Sequence, residues 1–213
     1  MVREWVAVIP VKRLSAAKSR LRGAVPAARH ADLALAMVRD TVAAVLAGDA
    51  VAELLVVTDD PAAGDAVAAL GARVVPDPGG DLNAALRHGA DRVAGLTRCR
   101  VVLAGDLPAL RPGELDAALA GAGRRSFVAD ANGSGTVLLA VPPGRPLDPH
   151  FGLGSAVAHA ASGAAALAGD WPGLRQDVDT PDDLSAVLDL GPGPHTRQLL
   201  RDLGLTGRRV PAA

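Results

Sequence analysis

The residues whose types and spacing could do chemistry fall in three short stretches. Ala104-Gly105-Asp106-Leu107-Pro108 follows the apolar run Val101-Val102-Leu103. It therefore puts a carboxylate at the carboxyl end of a buried strand, where open α/β sheets bind ligands. Asp177-Val178-Asp179-Thr180-Pro181-Asp182-Asp183-Leu184 is a second acidic run, just ahead of a helix start. Carboxylates from two such places can converge on one hard divalent cation. The third stretch, residues 10–20, follows the first predicted strand and carries Lys12, Arg13, Lys18 and Arg20, four cations able to neutralise a polyphosphate. It matches neither the phosphate-loop pattern nor the three-glycine dinucleotide fingerprint. Taken singly, Asp106, Asp177 and Asp179 also read as helix or turn caps, and the cations as solvated surface. Together on one sheet edge they point to metal-assisted nucleotide chemistry.

Positioning them on one edge requires a parallel sheet, and the chain alternates accordingly. Trp5 to Val11 is a near-continuous apolar run, as expected of a strand covered on both faces. Pro26 opens a helix whose apolar positions Leu33, Met37, Val38, Val42, Val45 and Leu46 recur at helical spacing before Gly48. Leu54 to Val57 is a second strand. Thr58-Asp59-Asp60-Pro61 starts a helix that Gly71 closes, and Arg73 to Val75 is a third strand. Asp81-Leu82-Asn83 begins a helix running toward Gly95, ahead of a fourth strand, Arg100 to Leu103, and a helix from Pro112 to Leu119.

Ser126 to Ala129 and Thr136 to Val141 then read as a hairpin-like addition around Asp130-Ala131-Asn132-Gly133-Ser134-Gly135. Ser155 to Ser162 is a short helix. Thr180-Pro181-Asp182-Asp183 starts another, with a threonine cap and acidic residues facing the helix dipole. The expected fold is a single-domain, doubly wound α/β structure with a mostly parallel sheet and a small antiparallel addition. Residues 1–191 form the domain. Residues 192–213 add a linker, a short helix from Thr196 to Leu203 and a tail.

Composition narrows the partners. The 213 residues are 49% hydrophobic, enough for one large domain, and 22 basic against 23 acidic residues give a net charge of -1. That balance argues against nucleic acid as a partner, and two Phe, two Trp and no Tyr leave little to stack on single-stranded bases. The lone Cys99 has no disulfide partner within the chain and reads as a small, buried, apolar residue. The amino terminus lacks the pattern of a signal peptide, and charged residues interrupt the alanine-rich stretch 27–47, so a cytoplasmic protein without a membrane partner is expected.

The charged loop, Gly105-Asp106-Leu107-Pro108 and Asp177-Val178-Asp179-Thr180-Pro181 together resemble the nucleotidyltransferase fold of molybdopterin-guanine dinucleotide synthases and sugar-nucleotide pyrophosphorylases. The glycine-rich loop of those proteins is replaced here by Pro10-Val11-Lys12-Arg13. That departure resembles one branch, the guanylyltransferases that join phosphoenolpyruvate or 2-phospho-L-lactate to GMP in synthesis of the deazaflavin coenzyme F(420). Further matches are Lys18-Ser19-Arg20-Leu21, Leu82-Asn83-Ala84-Ala85-Leu86, Gly133-Ser134-Gly135-Thr136 and His150-Phe151-Gly152-Leu153-Gly154-Ser155.

The resemblance covers residues 6–188. It implies Mg²⁺ held by Asp106, Asp177 and Asp179, with Thr136, Gly152 and Ser155 binding the small phosphorylated acid. Pro10, Lys12, Lys18 and Asn83 would then contact GTP, and Lys12, Lys18, Arg20 and Asp106 would serve catalysis. Asp81 stands where relatives carry glycine, although Gly79 and Gly80 precede it. Backbone N–H groups of Gly152 to Ser155, at a helix start, are an expected anion site. His30, His88, His159 and His195 read as surface or interhelix residues, with His150 nearer the site. Phosphoenolpyruvate is the first choice of acceptor, with 2-phospho-L-lactate next, and a downstream transferase would receive the labile product. The other readings are a nucleotidyltransferase for a sugar or cofactor phosphate, and a non-catalytic nucleotide-binding module.

Overall fold

The computed structural model describes residues 4–16, 21 and 24–205. Seven strands form one sheet in the order β3-β2-β1-β4-β6-β5-β7: β1 (Trp5–Pro10), β2 (Val51–Val57), β3 (Arg73–Val75), β4 (Cys99–Leu103), β5 (Ser126–Ala129), β6 (Thr136–Val141) and β7 (Ala165–Ala166). The helices are α1 (His30–Leu46), α2 (Pro61–Ala68), α3 (Leu82–Arg87), α4 (Pro112–Ala120), α5 (Ser155–Ala161), α6 (Pro172–Arg175), α7 (Pro181–Leu190) and α8 (Pro194–Asp202).

The apolar run of β1 is explained by its place near the centre of the sheet. Successive side chains leave a strand on opposite faces. Trp5, Ala7 and Ile9 accordingly join a core with Val38 and Val42 of α1 and Leu115 of α4, while Val6 and Val8 join a second core with Leu86 of α3 and Ala156 of α5. A third cluster lies on the outer side of α1, where Leu33 and Met37 meet Leu184 and Val187 of α7 and Leu199 and Leu200 of α8. Asp40 of α1 completes that attachment by accepting the His195 and Thr196 N–H groups at 3.0 and 2.7 Å, which caps α8.

The expected hairpin pair forms with the expected bounds but is not an edge appendage. Strand β6 inserts between β4 and β5 and is antiparallel to both, while β1 with β2, β1 with β4, β2 with β3 and β5 with β7 are parallel. The amino end of β6 therefore lies at the same sheet edge as the carboxyl ends of β1, β4 and β5.

Other differences are local. The helix expected to run from Asp81 toward Gly95 is α3 followed by a π-helical stretch, His88–Val93. Asp177 and Asp179, expected just ahead of a helix start, lie in irregular chain between α6 and α7. Cys99 is half-buried at the opposite edge, where burial raises its thiol pKa. No described helix is long and apolar enough to cross a membrane.

Candidate active site

At the edge where β1, β4 and β5 end, a cleft of about 680 Å³ opens between the two helical layers. Each wall is a chain segment leaving or entering a strand or leading into a helix. Lys12 and Arg13 follow β1, Asp106 follows β4, Asp130 follows β5, Thr136 begins β6, and Gly152 to Ser155 lead into α5. Asp177 and Asp179 close the remaining side from the segment before α7.

The basic wall is held by an acidic helix cap. Asp60 accepts Ala63 N–H at the start of α2 and, with its other oxygen, Leu14 N–H at 2.9 Å. These bonds hold its carboxyl below the usual range and pin the loop that carries Lys12 and Arg13. Lys12 Nζ reaches across the mouth to Asp77 at 2.6 Å and to the Gly80 carbonyl at 3.4 Å. Pro10 lines the floor beside it. Lys18 and Arg20 lie outside the described residues.

The acidic wall is crowded. Thr180 caps α7 in a reciprocal box, its Oγ1 accepting Asp183 N–H while Asp183 Oδ2 accepts Thr180 N–H at 2.8 Å, a device worth about 1 kcal/mol. Asp183 also accepts Asp179 N–H at 3.1 Å, fixing the turn before the helix. Burial, then Asp106, Asp179, Asp130 and Asp183 in that order, push the Asp177 carboxyl up to about 7. Among the described residues, no three acidic, histidine or cysteine side chains enclose a metal unaided. Asp106, Asp177 and Asp179 share one cleft without forming a closed cage. Placement of Asp106 depends on α1, whose Thr41 Oγ1 accepts Leu107 N–H at 3.0 Å.

The third wall is built from main chain. Asp130 is buried and accepts Ser134 and Gly135 N–H at 2.9 and 2.8 Å, which folds the loop entering β6. Gly152 and Gly154 have φ of 139° and 69°, conformations that favour glycine and let the backbone turn at the cleft. The helix-start anion site expected there is partly spent. Ser155 N–H bonds Gly152 O at 3.2 Å and Ala156 N–H bonds Ser134 O at 3.2 Å, leaving the main chain of residues 152–154 to meet an anion. Ser155 itself is buried.

Asn83, expected to touch nucleotide, has its amide engaged elsewhere. Nδ2 donates to Phe151 O at 3.0 Å and Oδ1 accepts Phe151 N–H at 2.8 Å, so Asn83 braces the loop before α5. Sequence reasoning missed two residues. Asp130 was legible only as the end of a strand ahead of a glycine-rich turn. His159, expected on a surface or between helices, is fully buried with Nδ1 2.9 Å from Thr136 Oγ1. Its signal was its spacing of four from Ser155, which puts both on one face of α5.

This arrangement can hold a polyanion between a cationic loop and a carboxylate cluster, with a second anion against Thr136 and the glycine turn. The family model described as "Guanylyl transferase CofC like" matches residues 5–210. The phosphoenolpyruvate guanylyltransferase of Salinispora arenicola is 56% identical over 93% of this chain and 94% of its own. That of Geodermatophilus obscurus is 56% identical over 93% and 95%. In fold, a Desulfovibrio desulfuricans G20 structure described as a nucleotide-diphospho-sugar transferase matches with a TM-score of 0.69 over 96% of this chain and 97% of that one, at 17% identity.

Proposed function

The chain belongs to the CofC-like guanylyl transferases, and we propose that it joins the GMP moiety of GTP to the phosphate of phosphoenolpyruvate, releasing pyrophosphate, for deazaflavin coenzyme F(420) synthesis. The observation that supports this most is the meeting of three walls in one cleft. A basic loop suits a triphosphate, a carboxylate cluster suits a cation, and a hydroxyl with a glycine turn suits a small anion. An acceptor phosphate oxygen would attack the α-phosphorus of GTP, forming a phosphoanhydride as the bond to pyrophosphate breaks. A phosphate with a second pKa near ~6 is largely dianionic at neutral pH, so no side chain has to remove a proton. The obstacle is repulsion between anions, and the protein's task is positioning and electrostatics.

Lys12 would exchange Asp77 for the triphosphate, its ammonium being the half-exposed member of that pair. Lys18 and Arg20 are proposed to add positive charge toward the same triphosphate. Thr136 and the turn from Gly152 to Ser155 would hold the acceptor. Asp106, Asp177 and Asp179 would hold Mg²⁺. Their oxygens are hard donors, and the raised Asp177 carboxyl marks negative charge that a cation would relieve. The open arrangement fits as well, since Mg²⁺ commonly takes one or two carboxylates and completes its shell with substrate phosphate and water. Bound there, Mg²⁺ would neutralise phosphate charge and polarise the α-phosphoryl group. The anhydride is labile and would pass to a downstream transferase.

The test is pyrophosphate release from GTP and Mg²⁺ with phosphoenolpyruvate, 2-phospho-L-lactate, a sugar phosphate or water. Release with phosphoenolpyruvate and not with water supports the proposal. Preference for 2-phospho-L-lactate would move the acceptor, and response only to a sugar phosphate would reject it.

A further inference from the structure

His159 takes part in no step above, yet it is fully buried beneath the acceptor wall and touches that wall at two points. His150 N–H donates to its Nε2 at 2.9 Å. A ring nitrogen that accepts a hydrogen bond carries no hydrogen, so the ring proton of the neutral imidazole is on Nδ1. That nitrogen lies 2.9 Å from Thr136 Oγ1. Nδ1–H therefore donates and the threonine oxygen accepts. A protonated ring would drive an Nε2–H against the His150 N–H.

Neighbours hold the ring in this pose. Phe151 and His150 meet it edge-on with centroids 5.0 and 5.8 Å away, and Phe127 lies 5.9 Å away. Asn83 in turn clamps the Phe151 main chain. The charged and titratable groups around it are Arg125, His150 and Asp148, and the Ser155 main chain is a further hydrogen-bonding neighbour. Burial first, then Arg125 and His150, lower its pKa to about 4, in accord with a neutral ring.

The consequence falls on Thr136. A hydroxyl has one hydrogen and two lone pairs. With the ring donating into one lone pair, the hydroxyl hydrogen is available to the cleft. With the opposite tautomer Thr136 would donate inward and present only lone pairs to an arriving anion. We propose that His159 is a positioning residue that, through its fixed Nδ1–H tautomer, turns the Thr136 hydroxyl into a donor for an anionic oxygen of the acceptor. This rests on the placement of the acceptor at Thr136 proposed above.

Nitrogen-15 correlation spectra of the full chain would read the tautomer directly. A single Nδ1–H form that does not titrate between about pH 5.5 and 8 is expected, and an Nε2–H form would overturn the inference. In kinetics, His159→Gln retains an acceptor for His150 N–H while losing the donor to Thr136. It should raise the phosphoenolpyruvate KM about tenfold and leave the GTP KM within about twofold. His159→Asn restores a donor near the Nδ1 position and should recover most of that loss. Thr136→Val should show the same split, and the Gln and Val changes combined should cost no more than Val alone, since one acts through the other. Additive losses, or an unchanged acceptor KM in His159→Gln alongside a raised one in Thr136→Val, would overturn the positioning role. An unchanged acceptor KM in Thr136→Val would instead reject the acceptor placement, and the spectra would still report the tautomer. If His159→Gln fails to fold, the spectra and His159→Asn carry the test.

Discussion

Replacing Asp177 by asparagine should change how stability depends on pH in a direction fixed by the cleft. The carboxyl stands at about 7 in the folded protein against 3.8 for the free group, mainly because it is buried, then because Asp106 and Asp179 are close. Between those values the folded state binds more protons than the unfolded one. Stability is therefore lost as pH rises through the window. At 1.36 kcal/mol per unit, the loss approaches about 4 kcal/mol at full burial, and about 2–4 kcal/mol allows for partial solvent contact. Asparagine keeps the shape without the titration. His159 produces the opposite slope over an overlapping range, so the wild-type curve alone should look deceptively flat.

The informative quantity is the difference between Asp177→Asn and wild type, measured by urea unfolding in chelator from about pH 4 to pH 8. That difference should grow in favour of the variant by about 2–4 kcal/mol as pH rises. Millimolar Mg²⁺ with nucleotide should narrow the difference at pH 8 by stabilising wild type more. A difference that does not vary with pH would refute the picture of a crowded carboxylate cluster.

Asp106→Asn should fold with stability no lower than wild type but lose about a hundredfold in turnover, and near-normal rates would reject its role at the reacting phosphates. Asp179→Asn should behave similarly. Lys12→Met should raise the GTP KM about tenfold and spare the acceptor KM, with the reverse pattern showing that the two substrates were assigned to the wrong walls. Because the folded pKa of His159 is lowered to about 4, its own contribution to stability should be lost as pH falls from about 6.5 toward 4, by about 3 kcal/mol. The difference between His159→Asn and wild type should show this acid-side contribution in the same urea series.

Several elements were legible because their signals are local. Ser126–Ala129, Thr136–Val141 and the Thr180-Pro181 helix start fall where strand alternation and cap chemistry put them. Strand β2 begins at Val51 rather than Leu54, since exposed Ala52 and half-buried Glu53 hide its first residues from a hydrophobic pattern. The two-residue β7 and four-residue α6 are too short to show a period. Helix α8 starts at Pro194, inside what reads as a linker, because Pro at a first helical turn and Pro in a loop look alike without the Asp40 cap. Sheet topology alone brings Asp106 to the cleft, whereas Asp177 and Asp179 reach it on irregular chain between α6 and α7. The inward turn of Asn83 and the burial of His159 depend on how the loop before α5 folds back, which no local pattern encodes.

The reversed strand β6 has a consequence for how this scaffold could change acceptors. Its pairing with β4 puts Leu138 opposite Leu103, and Ala104 N–H extends the ladder to Val137 O at 2.9 Å. Asp106 and Thr136 are thus mounted on two rails of the same track, and the gap between them is fixed by interstrand register. A slip of one residue would turn every β6 side chain to the opposite layer and empty both cores at once. Divergence toward larger or differently shaped acids is thereby channelled away from the rails. It would fall instead on the turn at residues 150–155, where chain length and side chains can vary without disturbing the gauge of the sheet.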